Sequence, residues 1–321
     1  MNSVTLQISL SPSDFPHAQH ILPHQLKQFS EQVDEILLVT DKRRSRGRFG
    51  VGWLEGEPKL KALLESCCRD FGHARTVEVD YSPAAMKSVG VEFFGVTSVP
   101  IKDYRGGPYY SYFYALHASR NSYVFHLDSD MLFGGGSQTW IGEALAILAS
   151  PDVFSCDPLP GPPRQDGALP RERATLDGRW PGAFRIDGFG TRVFLIDKER
   201  LVRERPKLSV NFCSGRAALS ALLHGWLPYN APENNLRKAM VERKLLRISF
   251  LGNPPGLWSL HPPNRTSAFY AILPDLISRI ESGDIPDAQR GDYDLNLNLY
   301  AAEAAGPCAI PAADQADFSG S

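Results

Sequence analysis

The chain has 321 residues, 43% hydrophobic and 22% charged, enough to bury a substantial core and near the size at which single domains begin to divide. A formal net charge of −2 supplies no positive field to gather nucleic acid. Five cysteines with no CxxC spacing point to reduced thiols. The absence of a basic-then-apolar leader, and of any apolar run near the roughly 20 residues of a membrane helix, gives the expectation of a cytoplasmic protein with no transmembrane segment.

Taken in order, Val4 to Leu10 alternates and reads as a first strand. Ser11 to Asp14 supplies turn and cap residues, and Ile21, Leu22, Leu26 and Phe29 carry a helical pattern. Glu35 to Thr40 is a short apolar run of the kind found in strands covered on both faces, and it stops at Asp41. A basic run, Lys42 to Arg48, follows directly. The pattern then predicts a helix over 60–71, a strand over 75–80, an aromatic helix over 109–119 led by Gly106-Gly107-Pro108, and a strand over 122–127 ending in Asp128-Ser129-Asp130. A helix over 140–149 and strands over 152–156 and 192–197 come next, separated by a Pro/Gly/Arg-rich stretch, 158–182, that reads as a long loop. Helices are expected over 215–223 and 234–245, and the chain beyond Asp284 reads as a weakly structured tail. Strands alternating with helices at these lengths predict an open, mostly parallel α/β sheet whose ligands sit beyond the carboxyl ends of its strands.

Asp128 and Asp130 carry the chemistry. A buried strand ending in two carboxylates offers hard oxygens suited to Mg²⁺ or Mn²⁺, shared with phosphate oxygens of a ligand. Asp292-Tyr293-Asp294 has the same spacing with no apolar strand leading into it, and serves as the contrast. A turn or helix cap is the alternative role for the first pair.

Val124 to Asp130, preceded by the helix after Gly106-Gly107, resembles the nucleotide-sugar site of GT-A glycosyltransferases, particularly the family 2-like group. The resemblance covers roughly the first half of the chain. It implies one catalytic domain over 1–284, with a Rossmann-like nucleotide-sugar-binding half (1–135) and an acceptor-binding half (136–284). It also implies a metal at Asp128 and Asp130 on the donor diphosphate, with Ser9, Asp41, Arg105, Gly106 and Ser129 lining the donor. The donor implied is a UDP- or GDP-linked sugar, and the acceptor is undefined. Pro232-Glu233-Asn234 resembles the Glu-Asp motif of inverting members, with Asn234 where their base stands. Glu233 is the remaining carboxylate, read either as the catalytic base or as an acid favoured by a helix N-terminus. His261 is read as a further metal ligand or an ordinary loop histidine, and an imidazole in the set favours Mn²⁺. Trp180 and Asp187 fall where acceptor-side loops occur, with Trp180 equally readable as a packing residue.

The function expected is therefore metal-dependent glycosyl transfer. Two alternatives stay open: a nucleotidyltransferase acting on a sugar phosphate, and a non-catalytic GT-A-like binding domain.

Overall fold

The computed structural model describes residues 3–45, 50–169, 173–203 and 207–304. Arg46, Gly47 and Arg48 of the basic run, residues 170–172 of the expected loop, and 305–321 of the expected tail lie outside the described residues. Strands β1 (Val4–Leu10), β2 (Glu35–Thr40), β3 (Ala74–Glu78) and β4 (Tyr123–Asp128) run parallel in the order β3-β2-β1-β4. The sheet continues through β9 (Val193–Asp197), β6 (Val153–Pro160), β10 (Leu246–Phe250), β8 (Ala183–Ile186) and β7 (Ala174–Asp177). A side branch pairs β11 (Trp258–Leu260) with β6 and with β5 (Leu132–Gly134). Strands β5, β8 and β9 run against the others, so the sheet is mixed and mostly parallel.

The alternation of side chains along β2 explains why its sequence is apolar throughout. Ile36 and Leu38 face one core with α1 (Phe15–Phe29), α2 (Trp53–Asp70) and α5 (Trp140–Leu148). Leu37 and Val39 face the other, with α3 (Pro83–Phe94), α4 (Tyr110–Ala118), α6 (Lys198–Arg203) and α8 (Pro232–Glu242). Helix α7 (Gly215–Leu223) lies in the segment before α8. A third core packs α9 (Ser267–Ser282) on β5 and β11.

Three expectations need correction. The stretch 158–182 is not one long loop: β6 runs on to Pro160 with every residue buried, and β7 lies within the stretch. Two prolines obscured the strand, yet Leu159 and Gly161 donate their N–H groups to Leu257 and Ser259, so the residues flanking Pro160 carry the pairing. Helix α3 was not foreseen, although Ser82 caps it by accepting from the Ala85 N–H, with Pro83 at its first position. The weak tail is also incorrect over 285–304. Ile285, Leu295 and Tyr300 are buried against α9 residues Phe269, Leu273 and Ile280, and α10 (Leu297–Ala304) follows. Their spacing among polar residues and alanines hides any single period.

Candidate functional site

The carboxyl edge of β1, β2 and β4 brings together Ser9, Asp41 and Asp128, three of the residues expected to line a donor. Ser9 stands opposite Asp128 in the β1–β4 register and opposite Val39 in β1–β2, while Asp41 closes β2 by donating its N–H to the Leu10 carbonyl. The turn after β4 is held by Gln25 of α1, whose buried amide donates to the Asp128 and Met131 carbonyls at 3.0 and 2.9 Å. His126 bridges the strands, with Nδ1 2.6 Å from Gln7 Oε1 and Nε2 3.3 Å from Asp128 Oδ1.

The two aspartates differ sharply. The Asp128 side chain is 41% exposed, that of Asp130 12%. Asp130 Oδ2 accepts from Arg265 Nη1 at 2.9 Å, and its Oδ1 is buried with no hydrogen-bond partner. Burial and the neighbouring Asp128 raise the Asp130 pKa, against Arg265, His261 and Arg192. Two residues of the turn and helix after β1 join this cluster. Desolvation of the partly buried Asp14 pushes its carboxyl up to about 6 against Arg265 and the Ser11 N–H, with Asp130 and Asp128 adding to the rise. Burial and Arg265 drive His17 down to about 3, so it is neutral; its Nε2 lies 3.1 Å from Ser129 Oγ and its Nδ1 has no partner.

His261 closes the far side. It follows β11, and antiparallel pairing of Leu260 with Leu132 carries it alongside the turn that holds Asp130. Its Nδ1 lies 3.0 Å from Asp294 Oδ1, and its ring stacks on Tyr293, 5.8 Å between centroids. The pair taken as the contrast, Asp292 and Asp294, thus folds onto the site instead of apart from it. An open cleft of about 440 Å³ begins here, lined by Asn264, Asp294, Asn296 and Asn298 among others.

A second group stands at the head of α4. Asp103, 2% exposed, accepts from the N–H groups of Arg105 and Gly107, both at 2.8 Å, and so shapes the loop. Gly106 has φ +77° there, and a Cβ would lie 2.6 Å from the Trp226 ring. Arg105 reaches from Asp103 Oδ2 (3.1 Å) to Glu233 Oε1 (2.8 Å). Burial opposes the charge on Arg105, and these two carboxylates outweigh it, holding its pKa above the ordinary value. The Tyr112 hydroxyl, fully buried and without a partner, feels the negative charge of both Asp128 and Glu233, which raise its pKa after burial itself. Asp128 and Glu233 therefore both lie within electrostatic reach of Tyr112.

Other expected residues lie elsewhere or are already engaged. Asp41 accepts from Tyr81 Oη and the Arg43 N–H, both at 2.9 Å, and lies 3.5 Å from Lys102 Nζ. Trp180 sits in the β7–β8 turn, its ring under Arg179 at 4.2 Å. Strand β8 is four positions along the sheet from β4, about 19 Å at ordinary strand spacing. Asp187 is exposed just after β8 and donates its N–H to the Arg173 carbonyl. Neither residue is brought to Asp128 by the sheet.

Among the described residues, no three His, Cys, Asp or Glu side chains form a metal cage. The expected trio of Asp128, Asp130 and His261 is not among such groups, and His261 turns Nδ1 to Asp294 while its Nε2 stays on the other side of the ring. The orphaned, buried Asp130 Oδ1 beside Asp128 nevertheless suits a hard divalent cation, which is commonly held by one or two carboxylates together with substrate phosphates.

No protein-family model matches the chain, and no curated protein matches it. Among solved structures it is similar to a 4-diphosphocytidyl-2C-methyl-D-erythritol synthase from Anaerococcus prevotii, at 12% identity over 87% of this chain and 99% of that one, with a TM-score of 0.43. It is also similar to an active-site mutant of LgtC (12% identity, 90% and 99% covered, TM-score 0.38). A third is UDP-glucose pyrophosphorylase complexed with UDP-glucose (10% identity, 87% and 99% covered, TM-score 0.39).

Proposed function

We propose that this chain is a metal-dependent glycosyltransferase that moves a sugar from a UDP- or GDP-linked donor to an acceptor hydroxyl. The observation that carries the reading is Asp130, a buried carboxylate with one oxygen orphaned, next to the exposed Asp128 at the carboxyl edge of a parallel sheet. Asp128 and Asp130 would hold Mn²⁺ or Mg²⁺, which neutralises the charge that develops on a departing nucleoside diphosphate.

The chain's own residues have distinct tasks on this reading. Gln25 and His126 fix the carbonyl and carboxylate of Asp128. Ser9 and Ser129 border the donor, with His17 orienting the Ser129 hydroxyl. Arg265 balances the negative cluster and stands ready to meet a phosphate oxygen. Glu233 accepts the acceptor hydroxyl's proton, positioned by Arg105, which Asp103 holds in turn.

The test is thermal stabilisation by a panel of UDP- and GDP-sugars, with and without Mn²⁺, on the native protein and on Asp130→Asn. A ligand at a hundred times its Kd adds about 2.7 kcal/mol. The reading expects a Mn²⁺-dependent shift with one donor, lost in the variant. A shift with nucleoside triphosphates alone overturns it in favour of nucleotidyl transfer, and silence across the panel overturns it in favour of a non-catalytic domain.

A further inference from the structure

Apolar side chains are normally exposed singly, and a contiguous group rimmed by polar residues marks a contact surface. One segment of this chain, 207–232, breaks the ordinary pattern twice. Phe212, Leu219, Leu222, Leu223 and Leu227 are each between 60% and 77% exposed. Leu219, Leu222 and Leu223 fall at i, i+3 and i+4 of α7, so they share one helical face, while Ala221 on the opposite side is buried. The same segment contains no aspartate or glutamate, although 36 acidic residues in 321 would place about three in a stretch of this length. Its exposed titratable residues are Arg216 and His224. Lys238 of α8 adjoins it through a 3.2 Å bond to Asn211 Oδ1, and Glu242 reaches that lysine at 3.8 Å.

We infer that this face docks onto an anionic lipid bilayer. An apolar helical face whose own segment carries Arg216 and no carboxylate, with Lys238 adjoining, matches a surface of acyl chains beneath negative headgroups. No described helix is long and apolar enough to cross a membrane, and nine-residue α7 has the length to lie in the interface. Phe212 stacks on Tyr229 at 4.8 Å, and aromatic pairs of this kind suit headgroup depth.

The location gives the docking a purpose. Tyr229 accepts from the Tyr104 N–H at 2.8 Å, and the Trp226 ring covers Gly106, so the segment is seated on the loop that carries Arg105 to Glu233. A bilayer against α7 therefore meets the segment that packs on the loop of the proposed acceptor side. Resting on the glycosyl-transfer reading, the acceptor class is a hydroxyl anchored to the membrane by a lipid.

Co-sedimentation of the full chain with phosphatidylglycerol-rich vesicles, and with pure phosphatidylcholine vesicles, tests the docking without donor or metal. The native protein is expected to pellet with the anionic vesicles, less so at high salt. Leu222→Glu combined with Leu223→Glu should lower the bound fraction about tenfold or more while leaving the melting temperature unchanged, since both side chains stand in solvent. The inference is overturned if the native protein stays in the supernatant with both vesicle types, or if the double variant pellets as well as the native chain. It is equally overturned if the native protein forms a concentration-dependent dimer that the double variant dissolves. Failure of the sugar-nucleotide panel would leave this result standing, and failure here would leave that panel standing.

Discussion

Replacing Arg265 with glutamine removes the cation that Asp130 has in the folded chain and leaves both of its carboxylate oxygens unanswered. At the observed 2.9 Å and an effective dielectric constant of about 20, the two charges attract by about 6 kcal/mol. Desolvation of the pair cancels much of that. Breaking one side of a buried pair costs several kcal/mol, and the Arg265 side chain is 33% exposed, so the low end applies, about 3 kcal/mol. For a chain of this size the melting temperature should fall by about 6 °C. A divalent cation can replace the lost charge: Mn²⁺ at about thirty times its Kd returns about 2 kcal/mol. The assay is a melting curve of native protein and Arg265→Gln at pH 7, with and without Mn²⁺ and with no nucleotide present. The variant should melt lower and recover most of the loss on adding Mn²⁺, with the native protein gaining less because its own guanidinium competes. A variant that melts within about 1 °C of native would refute the claim that Arg265 balances this cluster. Equal stabilisation of both proteins by Mn²⁺ would refute the claim that guanidinium and cation contend for Asp130.

Three further outcomes follow from the same neighbourhood. His17 is held neutral with its pKa lowered from 6.5 to about 3, so its contribution is intact above pH 6.5 and is lost as pH falls toward 3; His17→Gln should flatten that acid limb in urea midpoints measured against pH. Asp14 has the opposite sign, its pKa raised from 3.8 to about 6, so the fold loses stability as pH rises through that window. Asp14→Asn should therefore gain on the native protein at pH 7, by up to about 3 kcal/mol, and not at pH 3, with urea unfolding at both values as the check. Gly106→Ala places a methyl group 2.6 Å from the Trp226 ring at a φ of +77°, and should cost about 2 kcal/mol or more and weaken donor-panel responses through the displaced Arg105.

Much of the architecture was legible because its first half obeys local rules. β1 and β2 are found over the residues their patterns predict, since one alternates and the other is covered on both faces. Ser9, Asp128 and Ser129 were accessible because strand ends on one sheet edge must meet. The residues that tune the site were not, because their partners are far along the chain: Arg265 meets Asp130 across 135 positions and Gln25 meets Met131 across 106. Asp14 had a signal in its place on the turn after β1, beyond the strand's carboxyl end, but it read as a capping residue, which it also is, accepting from the Ser11 N–H. Asp103 had none, being one carboxylate in a stretch without periodicity. The distance of Trp180 and Asp187 from β4 was not legible either, because chain order said nothing of β10 inserting between β6 and β8.

The contact between His261 and Asp294 has a bearing on how the protein is made. Asp14 and His17 are made before the aspartate pair, and Asp294 long after it, yet Asp14 and His17 border Asp130 and Ser129, and Asp294 holds His261 beside them. Until Asp294 emerges from the ribosome, His261 lacks its partner and the third core lacks Leu295 and Tyr300. Termination between the aspartate pair and that point leaves the carboxyl edge of β1, β2 and β4 with an open flank, and no fragment ending earlier keeps the contact of His261 with Asp294. The flank of the cluster is therefore completed only after Asp294, Leu295 and Tyr300 have been made.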